Sequence, residues 1–364
     1  MNEIELTQEL VEIDSQNPTH NEKEIAEFIK DFLEDLKLYA EIEEFDKNRS
    51  SVVASIGKGE GLLLNGHIDT VPPVSEWTKD PFKAKVEGNK IFGLGSSDMK
   101  GGVAAILIAV SKLAKEKFKR KLLLTFVADE EVNQRGSEHL IQKRKDLFKD
   151  VEYGIVAEPT ELKIETAQKG VVDFKVLFSG KSAHGSRPEE GDNAIYKATA
   201  FVEEVKKLIK DLEKTKHKVL GPGTINIGKI EGGIKVNIVP DSCVIEVDRR
   251  LIPGETPQIA KQQLEDILKK LHIDGRIDQV VGRFPLQVSE KSPIVQELLK
   301  IKKYKINFST GYTEAELYKT KAGVECIVFG PGNHKIHCPD EYIEIDKLKE
   351  ATLVYEKLIR NWCL

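Results

Sequence analysis

Cysteine is scarce in this chain, with four in 364 residues. Cys243, Cys326, Cys338 and Cys363 show no CxxC spacing, which excludes a disulfide framework and a zinc knuckle. Cys243 and Cys326 sit inside apolar runs and read as small buried hydrophobes, and Cys338 reads as a neighbour of His337 rather than a ligand. A basic surplus is also missing: 55 Lys and Arg against 60 Asp and Glu give a net charge of −5. Nucleic-acid binders carry a basic face, so no nucleic-acid partner is expected. The longest apolar stretch, around 103–110, is too short to span a bilayer, and residues 1–5 have no basic run of the secretory kind. A cytoplasmic protein without a membrane partner is the expectation. Repeats, low-complexity segments and long linkers are absent as well.

The length exceeds the ~250–300 residues at which single cores stop growing, so two domains are expected. Four short apolar runs end in residues that bind metals or move protons. Leu62-Leu63-Leu64 leads to His67 and Asp69, and Leu122–Val127 to Asp129, Glu130 and Glu131. Ile155-Val156 leads to Glu158, and Cys326–Phe329 to His334 and His337. Runs without polar alternation suit inner strands of a parallel sheet covered by helices on both faces. Ligands of such sheets sit beyond the carboxyl ends of the strands. The four ends should therefore converge.

The spacing predicts a helix over 3–13, ended by Asn17-Pro18, and a second helix opened by an Asn21/Glu24 capping box with an apolar stripe from Ile25 to Leu36. Strands follow at 41–46, 51–56 and 62–66, then a hairpin turning at Gly88-Asn89. Gly93-Leu94-Gly95-Ser96-Ser97-Asp98 enters a helix over about 102–114 and could cradle phosphate. The pattern fails, because Asp98 stands where the third glycine of GxGxxG belongs. A carboxylate there repels pyrophosphate and suits a cation. A strand over 122–131, a helix over 137–148 and a strand over 154–158 follow. From about 168 the texture changes to alternation (Val172, Phe174, Val176, Phe178), and the order β-α-β-β-α-β marks a ferredoxin-like insertion. The expected division is 1–167 and 281–364 for a catalytic domain and 168–280 for the insert.

His67, Asp98, Glu131, Glu158 and His337, with Glu130 left over, make up the inventory of a two-ion site of imidazole and carboxylate ligands. Taken singly, Asp98 could cap the following helix and Glu130-Glu131 could be an ordinary acidic strand end. Together at buried strand ends, unpaired carboxylates would carry a desolvation cost that a cation removes. Adjacent residues of a strand point opposite ways, so one of Glu130 and Glu131 binds metal and the other faces substrate. A carboxylate placed to take a proton from activated water and pass it to a leaving amine describes amide hydrolysis. Asp69 either orients His67 or forms an ordinary salt bridge.

The chain resembles the co-catalytic zinc aminoacylase and carboxypeptidase family, through Gly66–Pro72, Gly93–Gly102, Asp129-Glu130-Glu131, Glu158-Pro159-Thr160 and His337–Tyr342. The resemblance implies an α/β fold with a mixed, mainly parallel central sheet flanked by helices, and an inserted ferredoxin-like α+β lid that also makes a homodimer. It implies two zinc ions, with cobalt possible. Asp98 would be shared, His67 and Glu158 would complete one site, and Glu131 and His337 the other. Glu130 would be the general base, Asp69 an orienter, and Asp98-Met99 a cis peptide. His184 would stabilise the oxyanion from a partner subunit, Asn237 and Arg250 would hold the substrate carboxylate, and Gly311 and Thr313 would also contact substrate. Within the family, Asp80-Pro81-Phe82, Thr313-Glu314-Ala315, Phe329–Gly332 and Pro339–Tyr342 are most similar to acetylornithine deacetylases. The expected activity is removal of an N-acyl group from a small amino acid, N-acetylornithine first. Desuccinylation of succinyl-diaminopimelate, release of a carrier-linked lysine or ornithine, and dipeptide hydrolysis are the alternatives.

Overall fold

The computed structural model describes residues 1–17 and 21–364. Pro18, expected to end the first helix, lies outside the described residues. Two compact units emerge: Met1–Thr166 with Val288–Asn307 and Thr313–Leu364, and Ala167–Gln287 with Phe308–Tyr312.

The first unit is built on strands in the order Ala40–Asp46, Arg49–Ile56, Lys121–Val127, Gly61–His67, Val151–Val156, Glu325–Val328 and Ile164–Gln168. Gly61–His67 runs parallel to both its neighbours, and Glu325–Val328 runs parallel to Val151–Val156. The four strands with chemistry at their ends therefore point the same way. All seven residues of Gly61–His67 are buried, which is why its sequence lacks polar alternation. Helix Gly101–Leu113 is buried over nearly its whole length, and Ile345–Cys363 packs along it with Leu348, Ala351, Tyr355, Leu358 and Ile359 inward. Gly102 has no room for a Cβ against the Ala157 carbonyl, so the helix can start beside the strand end that precedes Glu158.

Three local expectations need correction. Asn21 makes no side-chain cap; its Nδ2 reaches the Asp14 carbonyl at 3.3 Å instead, and the capping box belongs to Asn2 and Glu5 on helix Glu3–Glu12. The helix expected over 137–148 is two, Arg135–Lys143 and Lys145–Phe148. Between them Arg144 leaves helical geometry, and its guanidinium pairs with Glu41 and Glu43. The strand expected to reach 131 stops at Val127, since Asp129 turns the chain with φ 68°.

The second unit is a four-stranded antiparallel sheet, ordered Thr224–Gly232, Ser242–Leu251, Gly170–Ser179, Gly275–Arg283. With helices Ala194–Leu212 and Pro257–Lys270 this is the ferredoxin-like order. Val172, Phe174, Val176 and Phe178 face the core with Phe201, Ile245, Val247 and Leu264. Gly275–Arg283 pairs with Gly170–Ser179 as far as Arg283↔Val171, which carries this unit past residue 280 to Gln287.

Candidate metal centre

His67 is the last residue of its strand, and Glu158 lies two residues beyond Val151–Val156. Asp98 sits in the turn before helix Gly101–Leu113, with a cis peptide bond to Met99. Glu131 follows the Asp129 turn, and His337 (φ 54°) lies in the loop after Glu325–Val328. These five side chains form two groups sharing one member: His67, Asp98 and Glu158, and Asp98, Glu131 and His337.

His67 Nε2 lies 3.1 Å from Asp98 Oδ1 and 3.7 Å from Glu158 Oε2. His337 Nε2 lies 3.4 Å from Asp98 Oδ2 and 3.1 Å from Glu131 Oε2. Asp98 thus turns one oxygen to each group, as a bridging carboxylate does. Around an ion with bond lengths of ~2.1 Å, tetrahedral ligand atoms stand about 3.4 Å apart, so these spacings match those between atoms bound to one ion. Three protein ligands on each side leave a position open, the pattern of catalytic sites. With Glu130, four carboxylates and two neutral imidazoles carry four negative charges, which two divalent cations cancel.

Burial and the mutual charges shift the proton affinities of all six side chains. Hydrogen bonds to Asp98 and Glu131 push His337 up to about 10. Burial works to lower His67, yet Glu158 and Asp98 hold it well above the ordinary histidine value. Burial pushes Glu158 up to about 8, with His67 opposing and Asp98 adding to the rise. Burial and the Glu158 charge raise Glu130 well above the usual carboxylate range, and burial and Asp98 raise Glu131. Asp98 goes the other way: burial is outweighed by its hydrogen bonds with His337 and His67.

Glu130 belongs to neither group. Its Oε1 accepts from Gln134 Nε2 at 2.8 Å, which leaves the other oxygen free of that contact. Glu130 and Glu131 diverge because they lie in a turn, not because of strand pleating, since no strand extends to them. Asp69 does not orient His67 through its carboxylate. His67 Nδ1 is 2.9 Å from the Asp69 backbone oxygen and 3.7 Å from Oδ1. The carbonyl thereby holds the proton on Nδ1 and leaves Nε2 as the donor atom for metal. The Asp69 carboxylate instead accepts the Glu130 N–H at 3.1 Å, the Glu131 N–H at 3.2 Å and Asn17 Nδ2 at 2.7 Å, so it shapes the acidic turn.

That turn has a second brace that the sequence did not reveal. Buried Arg49 donates from Nε to Glu22 at 2.8 Å and from Nη2 to Asp129 at 2.6 Å, and Asp129 Oδ2 accepts the Arg135 N–H at 3.2 Å. His334, at the same loop as His337, is exposed and pairs with Glu161 at 3.1 Å, outside both groups.

His184, Asn237 and Arg250 belong to the second unit. His184 bridges to Ile238, and the Gly185 N–H donates to the Asn237 carbonyl at 2.8 Å, so His184 and Asn237 are neighbours. They adjoin a cavity of about 510 Å³ lined by Gly185, Tyr196, Gly233, Ile234 and Val236. Arg250 is elsewhere, paired with Asp248 at 2.8 Å. The pairs Gly232↔Cys243 and Thr224↔Arg250 put the 233–241 loop and Arg250 at opposite ends of one hairpin, roughly 23 Å apart at ~3.3 Å per residue. Asn237 and Arg250 of one chain are therefore too far apart to meet at a single carboxylate. Gly311 donates its N–H to Ser309 Oγ at 3.0 Å, and Thr313 Oγ1 accepts from the Ala315 N–H at 3.3 Å. Among the described residues no helix is long and apolar enough to cross a membrane.

Residues 63–361 match the peptidase family M20/M25/M40. An acetylornithine deacetylase of Aliivibrio fischeri (strain MJ11) is 31% identical over 352 residues, 93% of this chain and 92% of that protein. The fold superposes on an M20 family metallo-carboxypeptidase from Sulfolobus solfataricus with a TM-score of 0.79, covering 99% of each chain at 22% identity. It also superposes on a dinuclear metal binding peptidase of the M20 family from Bacillus subtilis, with a TM-score of 0.72, 98% of this chain, 96% of that one and 17% identity. By the extent of the family match and the deacetylase identity, this chain belongs to the peptidase family M20/M25/M40 and is a hydrolase.

Proposed function

We propose that the chain is a two-zinc amidohydrolase that removes the acetyl group from N-acetylornithine, with cobalt able to replace zinc. The carrying observation is the pair of three-ligand groups that share Asp98, with Glu130 beside them and in neither. His67 and Glu158 would hold one ion, Glu131 and His337 the other, and Asp98 both. Bound there, divalent ions would polarise the amide carbonyl and lower the pKa of water toward ~7.

The chain's own residues then have these parts. Glu130 takes a proton from the attacking water and returns it to the leaving nitrogen, with Gln134 holding one of its oxygens in place. Glu130, raised by burial, would stay ionised beside bound cations and so could accept the proton. Asp69 fixes the backbone that presents Glu130 and Glu131. His184 stabilises the oxyanion, and Asn237, Arg250, Gly311 and Thr313 bind the substrate. Because Asn237 and Arg250 lie at opposite ends of one hairpin, their joint action on one substrate carboxylate supports a homodimer in which the lid, expected over 168–280, lends His184 and Asn237 to the partner. The exposed Ile234, Val236 and Tyr196 of that region supply an apolar contact for a second copy.

The 31% identity to an acetylornithine deacetylase supports this substrate over the others. The test is a hydrolysis panel on the metal-loaded chain: N-acetylornithine, N-succinyl-diaminopimelate, other N-acyl amino acids and dipeptides. N-acetylornithine should have the highest kcat/KM, and a higher value for a succinyl or dipeptide substrate would refute the assignment.

A further inference from the structure

Glu341 is 1% exposed, lies four residues after His337, and belongs to neither ligand group. Strand Tyr342–Glu344 pairs antiparallel with Lys90–Phe92, ending at Tyr342↔Phe92. The ladder continues one step, where the Gly93 N–H donates to the Glu341 carbonyl at 3.0 Å. Beyond it the chain curls through Gly95 at φ 77°, and its N–H groups lose a strand to pair with. The Glu341 carboxylate takes the strand's place: Oε1 accepts the N–H of Ser97 at 2.9 Å and of Asp98 at 3.0 Å, and Oε2 accepts that of Gly95 at 3.1 Å.

Ser97 is held from the other side too, since its hydroxyl donates to the Asn333 carbonyl at 3.1 Å and accepts the Asn333 N–H at 2.8 Å. The backbone that presents Asp98 is thus fixed by the segment that also carries His337. We infer that Glu341 is a positioning residue of the metal centre, setting where Asp98 stands between the two ions. Since Asp98 turns one oxygen to each group, loosening its turn should weaken both ions together. Loss of His67 or His337 touches one group only.

This rests on the reading of the two groups as ion sites. The test is calorimetric titration of Zn²⁺ into metal-stripped full-length chain, unaltered and as Glu341→Ala and Glu341→Gln, with far-UV circular dichroism and the visible spectrum of the Co²⁺ form. Both ions should lose affinity in parallel in Glu341→Ala, by about ten- to a hundredfold, the usual range for groups that orient ligands. Glu341→Gln can keep the bonds to Ser97 and Asp98 but turns an NH₂ toward the Gly95 N–H, so its loss should be smaller. A folded Glu341→Ala with unchanged affinities, or with one ion alone weakened, would overturn the inference while leaving the ion sites intact. If the alanine variant does not fold, Glu341→Gln decides alone, and unchanged affinities refute it. An unaltered chain that binds no ion would remove the ion sites and this inference together.

Discussion

Replacing Glu130 by glutamine should separate proton transfer from metal binding. Glutamine has the shape of glutamate and can still accept from Gln134 Nε2, but it cannot take up a proton from water. General acid–base groups contribute about 10²- to 10⁴-fold, or roughly 3–5 kcal/mol of barrier at ~1.4 kcal/mol per decade. Since Glu130 lies in neither ligand group, Glu130→Gln should lose that factor in kcat while retaining both ions and a KM within a few fold. The assay is steady-state hydrolysis of N-acetylornithine beside a metal count on the same sample. A variant with both ions bound and kcat within about threefold of the unaltered enzyme would refute the assignment of the base. Loss of metal with loss of activity would show that Glu130 is a ligand instead.

Two further outcomes follow from buried charge. Arg49→Met should destabilise the folded chain by about 3–5 kcal/mol in urea unfolding, because it leaves the Glu22 carboxylate buried without its cation and Asp129 with Arg135 alone; a change under about 1 kcal/mol would contradict this. The second concerns pH. Glu158 is raised from 4.5 to about 8 and His337 from 6.5 to about 10 in the folded, metal-free chain. Both raised groups favour folding below their unfolded values and lose that contribution as pH rises through their folded ones. The metal-free melting temperature should therefore fall between pH 5 and 8, while zinc loading at pH 8 should release protons and restore it. A metal-free melting temperature that climbs over this range would reverse the sign.

The buried parallel strands were legible because a strand covered on both faces has no polar alternation to hide it, and their common direction gathered His67, Glu131, Glu158 and His337 at one edge, where Asp98 arrives from the turn before helix Gly101–Leu113. What escaped the sequence depends on contacts far apart in the chain. Glu341 reaches Asp98 across 243 positions and Arg49 reaches Asp129 across 80, and no local spacing announces either. The His67–Asp69 spacing suggests a side-chain partner, but the Asp69 backbone oxygen serves, since two residues beyond a strand end the main chain has curled back to the ring. Strand pleating does not divide Glu130 from Glu131, because the strand ends at Val127 and the left-handed turn at Asp129 precedes the pair. Helix Ile345–Cys363 was open to the same periodic reading as the second helix, with Leu348, Ala351, Tyr355, Leu358 and Ile359 along one stripe.

In the proposed centre, Asp98 holds both ions. The most direct test of this is the number of zinc ions bound per chain at equilibrium, in the unaltered protein and in Asp98→Ala. Two ions per chain are expected in the unaltered protein and loss of both in the variant, because each group gives up its shared oxygen. A single ion in the unaltered protein, or one ion still tightly bound in Asp98→Ala, would contradict it.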